Sequence, residues 1–469
     1  MQKDNSWEKY TEERAAECEA FCKGYMEFLS DGKTERECVD LIVRDIETAG
    51  YADMEKLIGS GSLSPGDKVY RINMDKSIVM FNIGEEPLSE GMNILGAHID
   101  SPRLDIKQNP LYADGGFALM DTHYYGGIKK YLYVALPLAL HGVAVKKSGA
   151  KVKFSIGERP EDPVFFVSDL LIHLSQEEMQ KKATEVVTGE ALDIIVGNRP
   201  LKIEGDDKKD EEKTDPVKAR VLDILKREYG IEEEDFHSAE LEVVPAGPAR
   251  EAGLDRSMIL SYGQDDRVCA YSSYRAMLEV PDVKRTACCI LVDKEEIGSV
   301  GATGMESKFF ENTVAELLEL TGGYSELALR RCLARCTMLS SDVSSAFDPT
   351  YAGSFDKKNV AYLGNGMVFN KFTGARGKSG SNDANAEYIA HLRDILDSED
   401  VNYQFSELGR VDLGGGGTIA YITALYGMNV IDSGVAVLNM HAPWEATSKA
   451  DVFETKRGYV AFLKHAKRI

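Results

Sequence analysis

Apolar strand-like runs in this chain stop on charged residues. The stretch LVDKEEIGSVGATGM, Leu291 to Met305, runs from an apolar segment into Glu295 and Glu296 and then into glycine. The run GMNILGAHID ends on His98 and Asp100, TMLSSDVSSAFDP supplies Asp342, and VLNMHAPWEA supplies His441. Short apolar strands alternating with helical stretches such as SELALRRCLARCTML constrain the chain to an α/β fold, whose open sheets bind ligands at strand ends.

With 469 residues, 43% of them hydrophobic, the chain can build two or three packed cores. A formal charge of −22, from 77 acidic against 55 basic residues, excludes nucleic acid and anionic membranes as expected partners. The charged start, MQKDNSWEKYTEERAAECEAFC, has no apolar signal core, so the expected location is the cytoplasm. The most apolar segment, Tyr131 to Val145, is shorter than the roughly 20 residues of a spanning helix and reads as buried core. The eight cysteines form no C-x-x-C pair, which fits reduced thiols.

Residues from Ser6 to Ala49 show the periodicity of two amphipathic helices. Between Leu104 and Val244 the character turns β-rich, in YLYVALPLAL, AKVKFSIG and EVVTGEALDIIVG, with FFVSDLLIHLSQEEMQ as the expected helix. The charge run Glu204 to Lys218 reads as a solvated loop. The expected organisation is therefore residues 1–103 and 245–469 forming one domain, with residues 104–244 inserted in it.

His98 and Asp100, two apart in a strand, point the same way, and an imidazole that holds a metal usually gives its second N–H to a carboxylate. Asp265 and Asp266 precede a helical run, where an aspartate can also serve as an N-cap. Glu295 and Glu296, on extended backbone, would face opposite sides, so that one holds a metal and the other faces water. Together His98, Asp265, Glu295, Glu296, Asp342 and His441 suit a pair of divalent first-row ions such as zinc. The glycine run Gly414 to Gly417 has neither the lysine of a P-loop nor a G-x-G-x-x-G turn, and reads as a tight loop.

In this order, H-x-D-S-P, D-D before a helix, D-x-E-E-I-G-S, S-S-D and M-H, the chain resembles the aspartyl aminopeptidase and aminopeptidase I family of cocatalytic zinc exopeptidases, from Asn93 to His441. The resemblance implies a mixed-sheet, three-layer α/β zinc-exopeptidase domain with an inserted β-rich dimerisation or lid domain. It implies that His98 and Asp342 hold one ion, Glu296 and His441 the other, and Asp265 both. Glu295 would be the general base, with Asp100 supporting His98. The ions would be zinc, with cobalt or manganese as alternatives. It further implies peptide substrates, a homo-oligomer of tetrahedral dodecamer type, and His173, in LLIHLSQ, reaching a partner's substrate.

Two departures from the family stand out. Ala442 replaces the serine of M-H-S, and GKSGSNDANAEY is unlike the family's specificity region, so acidic and neutral amino-terminal residues both stay open as substrates. The alternatives are a zinc deacylase or carboxypeptidase with the same metal site, and an assembly protein that keeps the fold without catalysis.

Overall fold

The computed structural model describes residues 4–202, 215–374 and 376–469. The chain divides into two units, one running up to Asp100 and then through Ala249–Met440 and Glu445–Ile469, the other comprising Ser101–Pro248 with His441–Trp444.

The first unit is built on a nine-stranded mixed sheet. Its strands are Ala52–Asp53 (β1), Lys68–Asn73 (β2), Ser77–Asn82 (β3), Asn93–His98 (β4), Ala287–Val292 (β5), Thr337–Ser341 (β6), Met367–Asn370 (β7), Tyr403–Ser406 (β8) and Asn429–Gly434 (β9). They lie in the order β1-β2-β3-β5-β4-β6-β9-β7-β8. The central four, β5, β4, β6 and β9, run parallel, while β3 and β7 flank them antiparallel.

The central strands read as unbroken apolar runs because both faces of the sheet are covered. Ile78, Met80, Leu95, Ala97, Cys289 and Leu291 enter one core cluster, and their neighbours Val79, Phe81, Ile94, Cys288, Ile290 and Val292 enter the other. Helices Glu12–Asp31 (α1), Glu35–Thr48 (α2), Gln264–Glu279 (α3), Ala386–Ser398 (α6) and Lys449–His465 (α7) contribute to the first cluster, and Phe309–Leu320 (α4) and Glu326–Ala334 (α5) to the second. The N-terminus of α2 is fixed by a capping box in which Thr34 and Glu37 each accept the other's backbone N–H. A smaller five-stranded sheet includes Met258–Ser261 paired with Glu445–Ser448.

The second unit is a six-stranded antiparallel sheet in the order Lys151–Ile156, Leu138–Val145, Ala239–Pro245, Arg103–Asp114, Phe117–Tyr125, Ile194–Gly197. Helix Pro216–Ile224 closes its core through Val217 and Val221.

Four local expectations change. The stretch FFVSDLLIHLSQEEMQ is not a helix: Phe165 exchanges backbone hydrogen bonds with Leu138 at 2.8 Å, Phe166 bridges Ile195, and only Glu178–Gln180 forms a 3₁₀ turn. Bridging claims its first half, and Leu170, Leu171, Ile172 and Leu174 stay exposed among the described residues, so little burial anchors a helical turn there. EVVTGEALDIIVG is a strand only over Ile194–Gly197, its start being two short helical turns. A third, four-residue helix, Ser6–Lys9, precedes the two expected near the start. Of the expected loop Glu204 to Lys218, residues 204–214 lie outside the described residues, while Pro216 begins a helix capped by Asp215.

Ile290 is 1% exposed at the centre of the sheet. Ile290→Ala will therefore destabilise the protein by about 2–5 kcal/mol, read as a lower urea midpoint at unchanged slope.

Candidate metal centre

The parallel register gathers the carboxyl ends of the central strands on one edge. Val292 pairs with His98, Ser340 with Gly96 and Ser341 with Ser433, so the residues that follow β5 and β6 emerge beside the His98 imidazole.

His98 is buried, and its Nδ1 lies 3.0 Å from the Asp100 carbonyl and 3.2 Å from Asp100 Oδ1. The same Asp100 carboxylate accepts the backbone N–H groups of Glu295 and Glu296, each at 3.2 Å. One carboxylate thus orients the imidazole and the glutamate turn together. With Nδ1 directed at Asp100, Nε2 is left for a ligand. It lies 3.2 Å from Asp265 Oδ1, 3.8 Å from Glu295 Oε2 and 3.9 Å from Asp342 Oδ1.

Glu295 and Glu296 are not on extended backbone. Lys294 turns the chain with φ +71° and Glu295–Ile297 form a 3₁₀ turn, so the glutamates do not alternate across a strand. Instead both offer oxygens to the same cluster as His98, within 4.8 Å.

Asp265 and Asp266 sit at the start of α3, joined by a cis peptide bond, and both have non-helical φ/ψ. Neither caps the helix, since Gly263 occupies the N-cap position and no side chain caps it. Asp342 follows β6 directly and donates its N–H to the Ser433 carbonyl at 3.0 Å. A Cβ on Gly434 would stand 2.0 Å from the Asp342 carbonyl oxygen, so only glycine allows β9 this close.

The electrostatics are those of a site built for a cation. Burial, then Glu295, Asp265 and Asp266, push the Asp342 carboxyl well above the usual range, against the pull of His98. Asp266 is raised well above the usual range by burial and by Asp265, with His98 again opposing. Burial alone would lower His98, yet the carboxylates of Asp100 and Asp265, with Glu295, hold it well above its ordinary value. The field that favours a proton there favours a divalent ion more strongly.

The donor set fits such an ion. His98 Nε2 is buried and makes no hydrogen bond, although it is aimed at carboxylate oxygens. Ligand atoms of His98, Asp265 and Asp342 all lie within 4.8 Å of one another, as do those of His98, Glu295 and Glu296. Imidazole nitrogen with carboxylate oxygen is a zinc-type set.

His441 and His173 belong to the second unit. The His441 backbone has φ +64°, and its Nδ1 lies 3.0 Å from the Gly127 carbonyl. His173 is exposed, in a turn.

Three acids escaped the sequence reading. Asp293 is pushed up to about 6, by burial and then Glu35 and Asp100, while the Thr303 hydroxyl at 2.6 Å opposes the shift. Asp432 is pushed up to about 7, chiefly by burial, and accepts from Thr418 Oγ1 at 2.6 Å. Glu445 is buried and accepts the Asp265 N–H at 3.0 Å. For Asp293 and Asp432 the available signal was a charge inside an apolar run, in LVDKEE and NVIDSG. The Gly414 to Gly417 segment is a tight loop, with Gly415 N–H bonded to the Leu408 carbonyl and Gly416 N–H to the Thr373 carbonyl.

Residues 28–463 match the family model described as Aminopeptidase I zinc metalloprotease (M18). The chain is 58% identical over 462 residues to the "Probable M18 family aminopeptidase 1" of Clostridium acetobutylicum, covering 98% of each. It superimposes with a TM-score of 0.93 on the crystal structure of an M18-family aminopeptidase from Thermotoga maritima, at 44% identity, covering 99% of this chain and 100% of that one. It shares its fold, at TM-score 0.75 and 18% identity, with the S. cerevisiae mApe1 dodecamer, covering 94% of this chain and 96% of that one. The chain belongs to the M18 aminopeptidase I family of zinc metalloproteases, and is thereby a peptide hydrolase.

Proposed function

We propose that the protein removes an acidic or neutral amino-terminal residue from peptides, using two divalent ions per subunit. The ions are zinc, for which cobalt or manganese can substitute. His98 and Asp342 hold one, Glu296 and His441 the other, and Asp265 is shared. The observation that carries this reading is the set of carboxylates converging on the bare Nε2 of His98. When bound, such ions polarise a carbonyl and acidify water.

The rest falls to the chain's own side chains. Glu295, held by Asp100 through its backbone N–H, takes the proton of the attacking water and passes it to the leaving amine. Asp100 keeps the His98 tautomer that presents Nε2. The substrate's free α-amine finds its countercharge among the same carboxylates.

The second unit, as an inserted domain, is proposed to build contacts with further copies. Leu170, Leu171, Ile172 and Leu174, between 48% and 69% exposed, surround His173 with apolar surface of the kind a partner covers. His173 would then reach a neighbour's substrate in a homo-oligomer, proposed as a tetrahedral dodecamer; that the neighbouring mApe1 structure is a dodecamer supports the subunit number. The eight cysteines are all buried and free, which supports a reducing cytoplasm. Among the described residues no helix is long and apolar enough to cross a membrane.

A deacylase or carboxypeptidase would share the metal centre and cleave amino-blocked peptides. An inactive assembly protein would have no need of Glu295. Peptides with free and blocked amino termini separate these readings, because turnover of blocked substrates alone rules out an aminopeptidase.

Two outcomes follow. Glu295→Gln will keep its metal content and fold while kcat falls by about 10²–10⁴, since an amide cannot take up the proton; near-normal turnover would refute the role. Ion affinity, measured by competition with a chromogenic chelator, will rise with pH. Asp342 and His98, both holding protons above their ordinary range, must release them before an ion binds, and affinity independent of pH would contradict this.

A further inference from the structure

Glu445 is 2% exposed, in a neighbourhood already crowded with Asp265 and Asp266. Its Oε2 accepts the Asp265 N–H at 3.0 Å, at the point where Asp265 and Asp266 depart from helical φ/ψ. No ordinary helical hydrogen bond can hold the backbone in that conformation.

The placement of Glu445 is itself fixed. Glu445 pairs with Ser261 in the five-stranded sheet. The Gln264 amide donates to the Ile259 carbonyl at 3.0 Å and to the Glu445 carbonyl at 2.6 Å, and Gln264 Oε1 accepts from Tyr25 Oη at 3.3 Å. Tyr25 and Gln264 are both fully buried. A continuous buried path thus runs from α1 through Gln264 to the strand that carries Glu445, and from its carboxylate to the main chain of Asp265.

We infer that Glu445 is a positioning residue: its carboxylate locks the backbone of Asp265, and so sets where the oxygens of the ion-sharing aspartate stand. This rests on the proposal that Asp265 is a ligand. Glutamine keeps an acceptor at the same reach, whereas aspartate retracts it by about 1.5 Å and alanine removes it.

The test uses the full chain and zinc, titrated against a chelator of known affinity. Glu445→Gln will stay within about threefold of the wild type, while Glu445→Asp and Glu445→Ala weaken binding by about 10–100-fold. With saturating zinc, the same two variants will lose kcat with little change in KM. If alanine prevents folding, the aspartate and glutamine variants decide the matter. Zinc affinity of Glu445→Asp equal to wild type overturns the inference, as does a glutamine variant as weak as the aspartate one. Asp265→Asn provides the separate control: if it binds zinc like the wild type, the ligand assignment of Asp265 fails, whereas if it is weakened and Glu445→Asp is not, only the positioning role fails.

Discussion

Around one buried imidazole the protein crowds Asp265, Asp342 and Glu295 within 4 Å of the same nitrogen. Like charges this close, in a place shielded from water, cost free energy that the fold must offset elsewhere or cancel with a cation. The parallel sheet brings the strand ends together, the two covered faces make it rigid, and the turns after β5 and β6 aim the acids inward. The two apolar clusters are what let the sheet tolerate this repulsion, for neither face could be opened to dilute it. The fold can be read as a scaffold for holding acids where they would not otherwise stay.

Much of this was legible because charge is conspicuous against apolar strands. His98, Glu295, Glu296 and Asp342 stand out as polar groups close after an apolar run, and a sheet that binds at its strand ends places such groups together. What sequence could not convey was the local backbone. Alternation predicted opposite sides for Glu295 and Glu296, but a left-handed Lys294 followed by a 3₁₀ turn sends both to one cluster. An N-cap was a fair expectation for the aspartates before α3, yet their dihedrals place them outside the helix proper.

The misread segment around His173 shows the opposite limit. Its leucines and isoleucine carry an apolar pattern, and among the described residues that pattern stays exposed. Hydrophobic periodicity reports that a surface will be covered, without saying by which chain. Glu445 was invisible for a different reason: it accepts a hydrogen bond from the backbone of Asp265, far away in sequence, and side-chain spacing carries no trace of that.

β4, β5 and β6 are neighbours in the sheet but distant along the chain, with β4 placed between two strands synthesised long after it. A ribosome therefore releases His98 well before the acids that are to surround it. An unfinished chain presents an isolated histidine rather than a chelating cage, and would neither sequester a scarce ion nor cut its neighbours. Hydrolytic competence would arrive only with completed architecture.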